Sequence, residues 1–329
     1  MTTLREFQPD HDEFREQVLQ GLRRPEKAIP CKFLYDERGS QLFERICQLD
    51  EYYPTRTELA IMREHAGEMA RLLGERCLLV EYGSGSSIKT RILLDRLRDP
   101  AAYVPVDISR EHLLQSTQAL VKRYPDLQVL PICADYTAEY EIPRCDGEVS
   151  RRVVYFPGST IGNFSVVEAS GFLRHVTKIC DRGGALLIGV DLIKDRATLE
   201  AAYDDSRGVT ALFMFNLLHR INRELDGDFQ PERFRYHAFF NDELARIEMY
   251  LVSLETQRVR IGEAEIQLQE GERIHTEYSH KYSLESFAEL AATADLRVER
   301  VWTDPEKLFS IQYLAVARRA AQQTGLSLG

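Results

Sequence analysis

"LVEYGSGSSIKT", residues 79–90, joins an apolar run to a glycine turn and the start of a helix. A short apolar run ending in Gly-x-Gly and continuing into a helix is the opening βα unit of a ligand-binding parallel sheet. The turn admits three kinds of ligand. Gly83-x-x-x-x-Ile88-Lys89-Thr90 is one residue from a phosphate loop, Gly83-x-Gly85 begins a dinucleotide fingerprint, and the third reading is a turn that receives a cationic nucleoside. Ile88 stands where both phosphate motifs need a glycine. Glu81, two residues before Gly83, puts a carboxylate at the mouth of the turn, which suits a positive ligand better than a pyrophosphate.

Working outward, the same run-and-helix rhythm recurs. "CLLVEYG" (77–83), "AYVPVD" (102–107), "LQVLPICAD" (127–135), "RVVYFPG" (152–158) and "ALLIGVD" (185–191) are strand-like, and a helix-compatible stretch follows each of the first four. Near-continuous apolar strands alternating with helices predict a parallel sheet covered on both faces. "LRVERVW" (296–302) and "FSIQYLAVA" (309–317) are separated by too few residues for a crossover helix, so they predict an antiparallel hairpin. The fold class is therefore α/β, with a seven-stranded sheet that ends in this hairpin. Residues 192–281 interrupt the rhythm with a helix, "GVTALFMFNLLHRINREL", and then polar-alternating strands from Ala245 onward. We read 59–191 and 282–329 as one domain, and 1–58 and 192–281 as a second. Thr55 or Thr57 is the expected cap of the helix entering the first domain.

Composition narrows the function classes. The chain of 329 residues carries a net charge of −10 and no long basic block, so neither nucleic acid nor a membrane surface is an expected partner. No apolar run approaches membrane-spanning length, and the N-terminus lacks a signal-peptide core, so a cytoplasmic protein is expected. Six scattered cysteines without a CxxC pair read as reduced thiols, and the histidines show no metal-ligand spacing, so no metal is expected.

Acidic residues close three strands or their turns. Asp107 ends the second strand, where a carboxylate can accept from both ribose hydroxyls or cap the next helix. Asp135 ends the third strand and can meet an adenine amine. With Glu81 they favour a nucleoside bearing an ammonium and a sulfonium and no phosphate, which describes S-adenosylmethionine.

Further stretches make the reading narrower. "FLYDERGSQLFERICQLDEYYPTRTE", "EYGSGSSIKTRILLD", "YFPGSTIGNF", "AYDDSRGVTALFMFNLLHRINRELDGDF", "RIEMYL" and "TEYSHKY" together resemble the histidine-specific Nα-methyltransferases of ergothioneine biosynthesis. The resemblance implies a Rossmann-like class I methyltransferase sheet and a second, α+β substrate domain. It implies trimethylation of L-histidine to hercynine, with S-adenosylmethionine as donor and S-adenosylhomocysteine as by-product. By motif, Tyr35, Glu81, Gly83, Gly85, Lys89, Asp107, Asp135, Gly158 and Thr160 fall at the cofactor. Tyr52, Gly158, Thr160, Asn163 and Tyr203 would hold the amino acid, Glu277 and Ser279 its ring, and Met249 the pocket wall. Tyr35, Tyr52 and Asn163 are the candidates beside the reacting amine.

The residues themselves leave other roles open. Asn163 follows glycine and fits a turn, Tyr203 fits a core tyrosine, Met249 fits a core methionine, and "HTEYSHKY" fits a solvated strand. His280 is expected at the surface. A monomer is expected, since one chain holds every motif. The alternatives are an N-methyltransferase for another aromatic amino acid such as tryptophan, or a non-catalytic S-adenosylmethionine-binding module.

Overall fold

The computed structural model describes residues 4–7, 11–85, 87–137 and 140–317. The outer parts of the two predicted domains, 1–3 and 318–329, lie outside the described residues. The strands are β1 (Arg5–Phe7), β2 (Lys27–Ala28), β3 (Cys77–Tyr82), β4 (Ala102–Asp107), β5 (Ile132–Ala134), β6 (Arg151–Phe156), β7 (Ala185–Asp191), β8 (Phe234–Asn241), β9 (Arg246–Ser253), β10 (Gln257–Ile261), β11 (Ala264–Leu268), β12 (Arg273–His280), β13 (Leu296–Thr303) and β14 (Phe309–Val316). The helices are α1 (His11–Leu22), α2 (Glu37–Ile46), α3 (Tyr53–Leu73), α4 (Ile88–Leu94), α5 (Arg110–Arg123), α6 (Val166–Cys180), α7 (Arg196–Tyr203), α8 (Val209–Leu225) and α9 (Leu284–Ala292).

The predicted parallel strands and closing hairpin are present. They form one sheet in the order β1-β5-β4-β3-β6-β7-β14-β13, with β14 antiparallel to both neighbours. Every residue of β3, β4 and β7 is buried, as continuous apolar runs require when helices cover both faces. The sheet has eight strands rather than seven. Arg5–Phe7 pairs in parallel with Ile132–Ala134 at the edge. Three residues with no apolar run give no sequence signal, and edge pairing alone makes them a strand.

Three further expectations are corrected. β5 is short, because Pro131 lacks an N–H and breaks the ladder, and upstream only Val129 bridges to Tyr103. No helix follows β5 among the described residues, since Pro143 and Gly147 punctuate the connection. α3 starts at Tyr53 with Pro54 in its first turn, ahead of Thr55 and Thr57, so neither threonine is its cap. α3 also runs through the 58/59 boundary drawn above.

A second sheet, β2-β12-β9-β8, shares an apolar core with α1, α2, α7 and α8. The sequence reading missed α7 and β8. In the large sheet the connections reverse direction between β3 and β6, which pair side by side. A crevice at the carboxyl ends of strands at such a point is where open α/β sheets bind ligands.

Candidate active site

That crevice opens into a cavity of about 980 Å³, at the large end of the roughly 300–1,000 Å³ usual for small-molecule sites. It is lined by Tyr35, Tyr52, Glu81, Gly83, Gly85, Lys89, Asp107, Asp135, Gly158, Thr160, Asn163 and Glu277. A smaller adjoining pocket shares Tyr52, Asn163 and Glu277 with it and adds Tyr203, Met249 and Ser279. The sequence-predicted residues therefore line two adjoining spaces, and several carry hydrogen bonds that the sequence did not indicate.

The glycine turn is not a phosphate cradle. Three of its amides are taken up internally, Gly83 N–H by Val106 O at 2.9 Å, Gly85 N–H by Asp107 Oδ2 at 3.3 Å and Ser87 N–H by Ser84 O at 3.0 Å. Gly83 has φ +70°, and a Cβ there would point into open space, so the backbone itself forms the cavity floor. Asp107 is not the cap of α5, which is Ser109. Its carboxylate accepts the N–H groups of Gly85 and Ser109. Of about four acceptor positions on a carboxylate, those two bonds leave room for a diol. Burial raises the Asp107 pKa against the pull of these amides.

Asp135 accepts from Thr137 and pairs with Lys32 at 3.1 Å. Despite burial, those partners hold its carboxyl below the ordinary range. Glu81 is corrected most. It is buried and accepts from Thr90 Oγ1 at 2.7 Å and Tyr103 Oη at 2.5 Å, and burial pushes its pKa up to about 8. It anchors β3 to α4 and β4 rather than standing free at the mouth.

Lys89 and Gly158 meet at a residue the sequence reading overlooked. Glu58, fully buried on α3, accepts from Lys89 Nζ at 2.5 Å and from Gly158 N–H at 3.0 Å. The Gly158 amide is thus already bonded, and Thr160 Oγ1 donates to Pro157 O.

At the inner end, Asn163 Nδ2 donates to Glu277 Oε1 at 2.8 Å, which leaves the Asn163 carbonyl oxygen as the free end of that amide. Burial raises the Glu277 pKa to about 8. A bulge between His275 and Glu277 re-aims β12 just before the site, after which Glu277 and Ser279 alternate onto one face as expected. Met249 is the cross-strand partner of Glu277. Tyr203 Oη lies 2.7 Å from both Ser279 Oγ and Lys281 Nζ, so its hydroxyl is not an isolated carboxylate hook.

The Tyr35 and Tyr52 hydroxyls have no partner among the described residues, and burial holds both pKa values well above the ordinary range. Each therefore acts as a neutral phenol. With Phe43 and Phe213 they form an aromatic wall, Tyr35–Phe213 at 5.4 Å, Phe43–Tyr52 at 6.2 Å and Tyr52–Tyr203 at 6.0 Å between centroids. His280 is buried, not at the surface, and it faces away from the pocket beside Tyr278 and Tyr282.

Residues 14–316 match the family model described as histidine-specific, SAM-dependent methyltransferase. The chain belongs to this family. A histidine N-alpha-methyltransferase of Mycolicibacterium smegmatis is 39% identical over 90% of this chain and 93% of its own. Ergothioneine biosynthesis protein 1 of Neurospora crassa is 32% identical over 84% of this chain, which spans 32% of that longer protein. A 4-dimethylallyltryptophan N-methyltransferase of Aspergillus fumigatus is 25% identical over 88% of this chain and 90% of its own.

For this methyltransferase, two more side chains were missed in the sequence. Asp191 ends β7 as Asp107 ends β4, a signal that was readable, and it binds Lys281, Lys194 and Tyr53 in a buried network. Lys281 gave no signal, because a lysine beside a polar-alternating strand reads as solvated. No described helix is long and apolar enough to cross a membrane.

Proposed function

We propose that the chain transfers three methyl groups from S-adenosylmethionine to the α-amino group of L-histidine, giving hercynine, the first step of ergothioneine biosynthesis. The observation that carries this reading is that a cavity with a nucleoside-type floor (Gly83, Asp107, Asp135) shares the wall residues Asn163 and Glu277 with an adjoining polar pocket that contains Ser279. Asp107 retains acceptor capacity for a ribose diol, and the glycine turn offers no nest for phosphate.

The bound donor supplies an electrophilic methyl group on a cationic sulfur. This chain's residues supply position and polarity. Lys89 faces the cavity from its Glu58 anchor, where it can pair with the donor's carboxylate. Asn163, held at its NH₂ end by Glu277, turns its carbonyl oxygen to an amine N–H without favouring ammonium as a carboxylate would. The Tyr35 and Tyr52 hydroxyls complete the amine site as neutral phenols, so neither is a phenolate base. Their aromatic wall accommodates the growing quaternary cation. Glu277 accepts from the substrate ring, and Met249 bounds it. The carboxylate role foreseen for Tyr203 passes to a ring role shared with Ser279.

In the same reading residues 1–58 and 192–281 form the substrate side, and 59–191 and 282–329 the donor side. The protein acts as a cytoplasmic monomer. The leaving group is neutral, so the transfer calls for no metal. Mass spectrometry after incubation with L-histidine and S-adenosylmethionine tests the proposal. The expected product is histidine carrying three added methyl groups. No methylation of histidine, or methylation of tryptophan in its place, would overturn it.

A further inference from the structure

Lys281 follows β12 by one residue, and its side chain is fully buried. An ammonium has three hydrogens, and each has a partner: Asp191 Oδ2 at 2.8 Å, Tyr203 Oη at 2.7 Å and Ser279 Oγ at 2.7 Å. Tyr203 Oη and Ser279 Oγ are themselves 2.7 Å apart. Burial favours the neutral amine, yet Asp191 and Tyr203 hold the Lys281 pKa above its ordinary value. Lys281 is therefore a donor on all three sides and an acceptor on none.

Counting protons fixes what the two hydroxyls can do. Each oxygen accepts one hydrogen from Lys281. Two hydroxyl hydrogens remain, and one of them bridges the two oxygens. The other has no acceptor within the triangle, and no other bond to these hydroxyls exists among the described residues. Whichever residue carries it, it points outward. Both residues line the small end pocket with Glu277 and Met249.

We propose that Lys281 is a positioning residue that fixes the Tyr203–Ser279 pair as a hydrogen-bond donor toward the substrate ring, so that the pocket selects a ring with one bare nitrogen and one N–H. This rests on the histidine reading above and deepens it. Glu277, with Oε1 held by Asn163, supplies the matching acceptor. A neutral imidazole satisfies both ends. An imidazolium has no bare nitrogen, an indole or pyrrole has only an N–H, and a phenyl ring has neither. Each would leave the outward hydrogen buried without an acceptor, which is the kind of loss that discriminates strongly.

The test compares kcat/KM for L-histidine with that for the two pyrrolylalanines, isosteres that keep one ring N–H and replace the bare nitrogen by C–H. The wild-type full-length chain should prefer histidine over the better isostere by about 10- to 100-fold. Lys281→Met frees the hydroxyls to turn and should shrink that ratio to about three-fold or less, mainly through a higher KM for histidine. Its Kd for S-adenosylhomocysteine should be unchanged. If the single variant fails to fold, Asp191→Asn with Lys194→Met and Lys281→Met removes the whole buried charge cluster and carries the same expectation. A folded variant with the wild-type ratio overturns the inference alone. Wild-type protein that leaves histidine unmethylated overturns the functional reading and this inference with it.

Discussion

Gly162→Ala tests how closely the donor and substrate sides are set against each other. Gly162 lies in the 3-10 turn Thr160–Asn163, which packs on the backbone of β12 at His280. A Cβ at this position would meet His280 O at 2.7 Å and His280 N at 3.1 Å. Ordinary contact begins at 3.4 Å, so the turn and the strand must part by 3.4 − 2.7, about 0.7 Å. Both obstacles are backbone atoms, and no side-chain rotation relieves them. The Asn163–Glu277 bond crosses this seam at 2.8 Å and would stretch to about 3.5 Å, the edge of any hydrogen bond. Overpacking of this kind costs about 1–3 kcal/mol of stability, and the displaced Asn163 should lower kcat/KM for histidine by about 10- to 100-fold. The assays are thermal unfolding, steady-state methylation of histidine, and calorimetric titration with S-adenosylhomocysteine. Cofactor affinity should hold, because Gly83, Asp107 and Asp135 lie at the carboxyl ends of β3, β4 and β5, away from this seam. Wild-type kcat/KM in the variant would refute the reasoning. Equal loss of cofactor affinity in a folded variant would do the same.

Other expectations follow from the same geometry. Glu277 with a pKa near 8 must lose its proton to accept a ring N–H, so kcat/KM for histidine should rise with pH toward about 8. Glu277→Gln should lack that limb, and an unchanged profile would remove Glu277 from ring binding. Asp107→Ala should weaken S-adenosylhomocysteine binding by at least about ten-fold in calorimetry, with histidine-pocket residues untouched. His280 has its pKa lowered by burial from 6.5 to about 4, so its contribution to stability is intact above pH 6.5 and declines as pH falls toward 4. At pH 5 that cost is about 2 kcal/mol. In urea melts at pH 7 and pH 5, His280→Phe should lose less stability than wild type, and an identical loss would contradict the assignment.

The sequence by itself determined the parallel strands, the closing hairpin and the carboxylates at the strand ends. Continuous apolar runs report burial on both faces, and Asp107 and Asp135 interrupt them where the chain leaves the sheet. The alternation of Glu277 and Ser279 was equally readable, because strand period is local. The family motifs named most of the cavity's lining. Contacts distant in sequence decided the rest. Arg5–Phe7 became a strand only by meeting β5. Glu58 joined Lys89 to Gly158 across three elements. Glu81 turned from a mouth carboxylate into an internal anchor because Tyr103 and Thr90 reach it. His280 went inside because the turn at Gly162 covers its strand. The proton direction of the Tyr203–Ser279 pair depends on Lys281 and, through it, on Asp191 at the end of another sheet. A hydrogen bond's sense is set by all the partners at once, and only the folded chain brings these partners together.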